Sequence, residues 1–105
     1  MEIITRAEEI LLLSVWKLQR EAYGLAIRRH ASELLGKNMS VGAVYIPLER
    51  LVKKGLLNTW ESDPIETRGG RRKRFYKLTP AGLASLNTVK EIHRRAWNGL
   101  PELAF

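Results

Sequence analysis

Cysteine is absent from this chain of 105 residues, which excludes a disulfide framework and any metal site built on thiolates. Its absence also fits a reducing compartment, and we expect a cytoplasmic protein. Long apolar runs are missing as well. The longest, Ile10–Trp16, is interrupted by Ser14 and is far too short to cross a bilayer, while its acidic flank, Glu8 and Glu9, does not suit a signal peptide. We therefore predict a soluble protein without a membrane partner.

Histidine is scarce, and the two that are present form no catalytic or metal-binding pattern. Neither His30 nor His93 has a nucleophile pattern or a second metal ligand at a suitable spacing. The pair Gly69-Gly70 lacks the strand-to-helix context of a nucleotide-binding loop. We expect no enzyme, no cofactor and no metal site.

Positive charge is abundant and concentrated. The chain has a net charge of +7, and residues 36–78 contain ten basic and four acidic residues, whereas the charges of residues 1–35 cancel. Clustered positive charge on one part of a fold is typical of a protein that binds a phosphate backbone. Double-stranded DNA is the partner that we expect.

The periodicity predicts the order helix, helix, helix, strand, strand, helix. A capping box, Thr5 with Glu8, begins the first helix, Ser40 is the expected N-cap of the third, and Thr79-Pro80 begins the last. The predicted bounds are about 6–19, 22–35, 41–54, 56–61, 73–78 and 80–98. This is mainly α with a small β-hairpin: a winged helix-turn-helix (residues 1–79) followed by a C-terminal dimerisation helix and tail (residues 80–105).

The third helix has one apolar stripe and one open face. The stripe comprises Val41, Val44, Tyr45, Leu48, Leu51 and Val52. In a helix-turn-helix the second helix of the pair enters the major groove, so the open face should meet bases. That face is predicted to carry Ser40, Gly42, Ala43, Ile46, Pro47 and Arg50. Among these, Arg50 is the side chain able to make a bidentate contact with guanine, and Pro47 is expected to distort the helix locally.

Further cations lie around this helix. Lys37, Asn38, Lys53 and Lys54 are positioned to contact phosphates, although the two lysines at the helix end would also complement its dipole as solvated residues. The hairpin carries four consecutive cations after Gly69-Gly70, namely Arg71, Arg72, Lys73 and Arg74. These would repel one another unless a polyanion neutralised them, so we predict a basic wing on the DNA backbone or in the minor groove.

The last helix has an apolar side wider than one small domain needs, which predicts a self-association surface. The residues predicted at the dimer interface are Leu83, Leu86, Val89, His93, Ala96 and Trp97. Trp97, with Trp16, is a candidate for lining a cavity at the dimer interface that takes a small aromatic effector. The alternative is that Trp97 simply packs in the interface.

Residues 9–86 closely resemble the PadR family of transcriptional regulators. The matching segments are Tyr23-Gly24, Val41-Gly42-Ala43-Val44-Tyr45, Leu48-Glu49-Arg50-Leu51, Lys54-Gly55-Leu56, Gly69-Gly70-Arg71-Arg72-Lys73 and Tyr76-Lys77-Leu78-Thr79-Pro80-Ala81-Gly82. The resemblance implies a homodimeric winged helix that represses promoters and is relieved by a ligand or signal. It implies DNA contacts at the start of the third helix, at Tyr45 and at Arg71 to Arg74, with Tyr23 as a further phosphate contact, and a dimer built by the C-terminal helix.

The predicted function is that of a sequence-specific DNA-binding transcriptional regulator, a repressor acting as a homodimer. One alternative is an architectural or protein-interaction winged helix that does not read sequence. A second is an anionic membrane surface as the partner of the basic wing. The membrane alternative is weaker because the cations lie on a hairpin and not on an amphipathic helix with exposed aromatic residues.

Overall fold

The computed structural model describes residues 3–63 and 72–102. In these residues the element order matches the predicted one. The elements are α1 (Arg6–Leu18), a 3₁₀ turn (Gln19–Glu21), α2 (Gly24–Leu35), α3 (Val41–Lys53), β1 (Leu57–Glu61), β2 (Arg74–Leu78) and α4 (Pro80–Trp97). The fold class is confirmed: the chain is mainly helical, with one antiparallel hairpin.

The helices begin where their capping residues predict. The Thr5 hydroxyl accepts from the Glu8 N–H at 3.1 Å, and the Glu8 carboxylate accepts from the Thr5 N–H at 2.8 Å. Ser40 caps α3 in the same way through the Ala43 N–H at 3.1 Å, and Thr79 caps α4. Each cap satisfies amides that the first helical turn leaves without an intrahelical partner.

The connection between α1 and α2 is longer than predicted. Helix α1 ends at Leu18, and α2 begins at Gly24, two residues later than expected. The reason is tertiary: the Ala22 carbonyl accepts from the Tyr76 N–H at 2.8 Å, and Tyr23 forms a bridge with Phe75. The segment before α2 is therefore extended beside β2, where it supplements the hairpin.

The hairpin has two different faces, because side chains alternate along each strand. On one face the cross-strand pairs are Leu57 with Leu78, Thr59 with Tyr76 and Glu61 with Arg74; on the other they are Asn58 with Lys77 and Trp60 with Phe75. The first face includes the buried Leu57 and Tyr76 and packs on the core. The second face is more exposed.

The core joins all the elements. Its fully buried members include Leu11, Leu12, Ile27, Val44, Leu48, Leu51 and Leu57. Burial of a side chain of this size stabilises a fold by about 1.5–3 kcal/mol. Gly82 is needed for this packing, because a Cβ there would overlap the Leu56 carbonyl. Helix α4 can therefore begin directly against the chain that leaves α3.

The prediction that Pro47 lies on the open face of α3 is wrong. Pro47 is buried, and α3 runs as one helix from Val41 to Lys53. Pro47 follows Val44 by three residues and precedes Leu51 by four, so it shares their side of the helix. Val41, expected on the inner stripe, is instead 54% exposed, because the core no longer covers this first helical position.

Candidate nucleic-acid interface

The open face of α3 carries small residues at its amino-terminal end and cations toward its carboxyl-terminal end. Gly42 and Ala43 leave its amino-terminal part bare, and Ile46 is 65% exposed. Arg50 and Lys53 follow on the exposed side, one and two turns further along. A helix face of this kind allows close backbone approach at one end and offers long cationic side chains at the other.

The connection between α2 and α3 adds cations beside the start of α3. A cavity of about 600 Å³ lies here, with Arg28, Arg29, Lys37 and Asn38 among its lining residues. Arg28 donates from Nε to the Met39 carbonyl at 2.8 Å and so fixes the connection. The predicted Lys37 and Asn38 are exposed. The exposed Arg29 was not predicted, because the pattern of α2 alone does not show that it faces this connection.

The carboxyl-terminal end of α3 is tied to the amino-terminal end of α1. Lys54 Nζ lies 2.9 Å from Glu8 Oε2, and Arg50 Nε lies 3.9 Å from the same oxygen. Glu8 is only 1% exposed. Burial raises the pKa of Glu8, but the hydrogen bonds from Thr5 and Lys54 and the charge of Lys54 outweigh it, so the pKa lies below its usual value. The lowered pKa keeps Glu8 negatively charged at neutral pH, beside the carboxyl-terminal end of α3.

The wing is joined to α3 by an ion pair. Arg74 Nη1 lies 3.0 Å from Glu49 Oε1, and Arg74 Nε donates to the Thr59 hydroxyl at 2.9 Å. Both charged side chains are close to half exposed. Sequence reasoning counted Arg74 among the free cations of the wing and missed Glu49. The structure makes Arg74 the link that positions β2 against the open face of α3.

The other described wing cations are less constrained. Arg72 Nη1 lies 3.5 Å from Glu61 Oε2, and both side chains are more than half exposed. Lys73 Nζ lies 4.2 Å from the centre of the Tyr23 ring, a distance typical of a cation–π contact. The predicted contact Arg71 lies outside the described residues.

The two predicted tyrosines anchor the helix-turn-helix from within. Tyr45 is partly buried on the core, and its ring lies so close to Gly24 that a Cβ there would overlap it. Tyr23 is the residue before α2 and meets Phe75 edge to face at 5.8 Å between ring centres. Packing thus determines the positions of both rings, with partial exposure left for Tyr23 and Tyr45 alike.

The six residues predicted at a dimer interface fall into two groups. Leu86 and Val89 are buried in the core of this chain, so their predicted place on an association surface is wrong. Helix α4 packs against α1, and both residues belong to the core cluster of this chain. Leu83, Ala96 and Trp97 are exposed, and His93 Nε2 lies 3.2 Å from Glu9 Oε1.

The two predicted ligand tryptophans are both exposed on the surface of the described residues. Trp16 is 50% exposed and Trp97 is 63% exposed. The cavity at Trp16 has Trp60, not Trp97, in its lining. Trp60 was missed because its position on the outer face of the hairpin depends on strand register, which the sequence did not define to the residue.

These features together define a class of protein. A helix-turn-helix presents α3 with one open face, and a hairpin carries cations beside it, which is the arrangement of winged-helix DNA-binding proteins.

In the part of the chain that the structure describes, no helix combines the length and apolar character needed to cross a membrane.

The family follows from comparison with known proteins. The model of the transcriptional regulator PadR-like family matches residues 12–88, and the chain belongs to this family. Members of this family regulate transcription and are not enzymes. This confirms the prediction of a transcriptional regulator and the prediction that the protein is not an enzyme. The chain is therefore a DNA-binding transcriptional regulator. No curated protein is a significant match.

Solved structures agree with this assignment. RosR from H. salinarum is 27% identical, with 93% of this chain and 81% of that chain covered and a TM-score of 0.67. A PadR family regulator from Clostridium difficile is 26% identical, with 87% and 94% covered and a TM-score of 0.64. BpsR from Bordetella bronchiseptica, whose DNA binding is regulated by 6-hydroxynicotinic acid, shares the fold at 20% identity, with 93% and 68% covered and a TM-score of 0.61.

Proposed function

We propose that the protein is a sequence-specific repressor that acts as a homodimer, with α3 in the major groove and the basic wing on the backbone or in the minor groove. The observation that carries this proposal is the open face of α3 with cations on both sides. Arg29 and Lys37 flank one end of the face, and the wing with Arg72 and Lys73 flanks the other. A convex helix face between two cationic surfaces matches a groove between two phosphate backbones.

Base reading is assigned to the open face. Arg50 offers the bidentate geometry that guanine accepts, and Ile46 offers apolar contact to a thymine methyl group. Ser40, Gly42 and Ala43 would let the start of α3 approach the DNA closely, with its free amides near a phosphate. The buried Pro47 is not assigned a contact with DNA.

Phosphate contacts are assigned around that face. One DNA backbone would be contacted by Arg29, Lys37 and Asn38, and Lys53 would extend along the edge of the groove. The other backbone would be contacted by Arg71, Arg72 and Lys73. Tyr23 lies beside Lys73 and would contact the same backbone. Contacts of this kind position a protein without reading bases. Lys54 is not assigned to DNA, because its ion pair with the buried Glu8 supports a role in stability.

The dimer is assigned to residues 80–105, and DNA binding to residues 1–79. The exposed apolar residues of the C-terminal segment, Leu83, Ile92, Trp97 and Leu100, support this division, since exposed apolar side chains grouped on one segment are typical of an interaction surface. We expect Trp97→Asp to give monomers in sedimentation velocity. Leu34→Asp, at an exposed leucine of α2, is the matched control and should leave the dimer intact. If Trp97→Asp is still a dimer, the dimer interface does not include Trp97 and lies elsewhere on the chain.

The same proposal includes a small aromatic effector that binds at the α4 surface. The effector would contact Trp97, and Trp16 of either copy of the chain would also contact it. The effect of 6-hydroxynicotinic acid on BpsR illustrates such control in a protein of the same fold. Tryptophan fluorescence that stays unchanged across a panel of aromatic compounds, with folding intact, would contradict this part.

The test of the proposed function is a fluorescence-anisotropy titration. DNA from upstream of the protein's own gene is compared with random DNA of the same length, at two salt concentrations. We expect preferential binding to the first, with an affinity that falls steeply as salt rises. Equal and weak binding to both would contradict the proposal and favour an architectural or protein-interaction winged helix.

A further inference from the structure

An acidic residue, Glu49, lies on the open face of α3. It follows Ile46 by three residues and precedes Lys53 by four, so the three side chains form one row along the helix. The Glu49 side chain is 47% exposed. A carboxylate on a surface that meets DNA is repelled by the phosphates, so it weakens binding unless a cation neutralises it or a donor on the DNA pairs with it.

Arg74 of the wing neutralises one side of this carboxylate. Its Nη1 atom lies 3.0 Å from Glu49 Oε1. Within residues 3–63 and 72–102, the second oxygen, Oε2, makes no hydrogen bond or ion pair. One oxygen of Glu49 is therefore paired with a cation, and the other is available to accept a hydrogen bond from a ligand.

The hairpin holds Arg74 in place. Arg74 Nε donates to the Thr59 hydroxyl at 2.9 Å, and this hydroxyl donates to the Phe75 carbonyl at 2.9 Å. The guanidinium carbon also lies 5.9 Å from the centre of the Tyr76 ring, which is buried. A cation that is fixed by the sheet restricts the carboxylate paired with it, and a restricted group loses less conformational freedom when it binds.

The chemistry of a carboxylate limits which base it can read. An ionised carboxylate only accepts hydrogen bonds, and in the major groove the donors are the N4 amino group of cytosine and the N6 amino group of adenine. Adenine also presents the acceptor N7 beside its amino group, which repels a charged oxygen. Guanine and thymine present the acceptors O6 and O4 instead. Cytosine is therefore the base whose edge suits a carboxylate best.

We propose that Glu49 reads cytosine, with Oε2 accepting from the N4 amino group while Arg74 acts as a positioning residue on Oε1. The inference rests on the proposed function, because it requires α3 in the major groove. Arg50 lies on the other side of the same face, 3.9 Å from Glu8 of α1, and remains the residue assigned to guanine. The two neighbouring residues would thus read different bases.

Selection from a library of random DNA duplexes, made in parallel with the wild type and with Glu49→Ala, tests this inference. We expect the wild-type sequences to contain a C·G pair at a position where Glu49→Ala shows no preference. Anisotropy titrations then compare the selected duplex with one that carries T·A at that position. The change should weaken the wild type about fivefold, because thymine O4 would face the carboxylate, and Glu49→Ala by less than about twofold.

Further variants separate base reading from a role in holding the wing. Glu102→Ala, at an exposed acid beyond the end of α4, is the matched control and should keep the full wild-type preference. Arg74→Gln should reduce the preference at the C·G position. If the Glu49–Arg74 pair only held the wing, each change would alter the affinity for every sequence by the same factor.

Glu49→Gln keeps the inference testable if Glu49→Ala does not fold. Its preference for C·G should decrease, because a neutral amide also pairs with adenine N6 and N7. If the wild type and the folded Glu49 variants select the same sequence with equal preference at every position, the inference is overturned and the proposed function stands. A wild type that selects no defined sequence would overturn both.

Discussion

The basic residues at the end of α3 and those of the wing have the same charge but different surroundings. Lys54 Nζ lies 2.9 Å from a carboxylate of a residue that is 1% exposed, and its own side chain is 28% exposed. Arg72 lies 3.5 Å from Glu61, and both of those side chains are more than half exposed. Arg50 is intermediate, since it is half exposed and lies 3.9 Å from the Glu8 carboxylate.

The difference teaches which cations serve the fold and which can serve a ligand. An exposed ion pair contributes little to stability and can exchange its carboxylate for a phosphate at small cost. A buried carboxylate that loses its partner is left with an uncompensated charge, which costs far more. The count of positive charges in the sequence does not make this distinction.

The largest expected effect is on stability. Glu8→Ala removes the carboxylate that accepts from the Thr5 N–H in the capping box, and it removes the partner of Lys54, so the free energy of unfolding should fall by about 2–3 kcal/mol. Urea unfolding followed by circular dichroism measures this. Glu91→Ala, which breaks the exposed pair with Arg94, is the matched control and should change little. Equal effects of the two variants would contradict the distinction between buried and exposed pairs.

Arg50→Ala should act on recognition more than on stability. If Arg50 makes a bidentate contact with guanine, its loss should cost about 1–3 kcal/mol at one base position and leave other positions unchanged. Competition binding with a set of single-base operator variants measures this. An equal loss on operator and random DNA would remove Arg50 from the base-reading residues.

Acid should weaken the contribution of Glu8. Its pKa is lowered in the folded protein from the usual value of 4.5, so the stability that its charge provides is present above that value and is lost as the pH falls through the lower folded pKa. The difference in unfolding free energy between the wild type and Glu8→Gln should therefore shrink between about pH 5 and pH 3. A difference that stays constant over this range would show that the ion pair contributes nothing.

The smallest effect is expected for Glu49→Gln. This change removes a negative charge from the open face of α3 and frees Arg74, so binding to random DNA should strengthen a few-fold while discrimination decreases. Anisotropy titrations with operator and random DNA measure both. Glu102→Gln, an exposed acid beyond the end of α4, is the control for a change of one unit in net charge. An identical gain in the two variants would mean that the position of Glu49 is irrelevant.

Local signals in the sequence predicted much of the fold. Thr5 with Glu8, Ser40, and Thr79 with Pro80 begin their helices as predicted, because a cap is determined by residues three or four apart. The strands were predicted to within one residue at their starts. Local signals could not predict the extended segment at Ala22, because the hydrogen bond between the Tyr76 N–H and the Ala22 carbonyl joins distant parts of the chain.

The candidate site was predicted less completely, for the same physical reason. Glu8 and Lys54 are 46 residues apart in sequence, so only the packed fold shows that one holds the other. Arg74 and Glu49 likewise meet only when the hairpin lies on α3. Pro47 is different, because its spacing from Val44 and Leu51 already placed it on the buried side of the helix.

The central distinction is between cations that stabilise the fold and cations that bind DNA. The salt dependence of DNA binding tests it most directly. It is measured on the double variant Arg72→Gln with Lys73→Gln and on the single variant Lys54→Gln. The slope of log affinity against log salt should fall by about two in the double variant, with unfolding free energy unchanged. Lys54→Gln should keep the wild-type slope and lose stability. A wild-type slope in the double variant, together with a reduced slope and full stability in Lys54→Gln, would contradict the account.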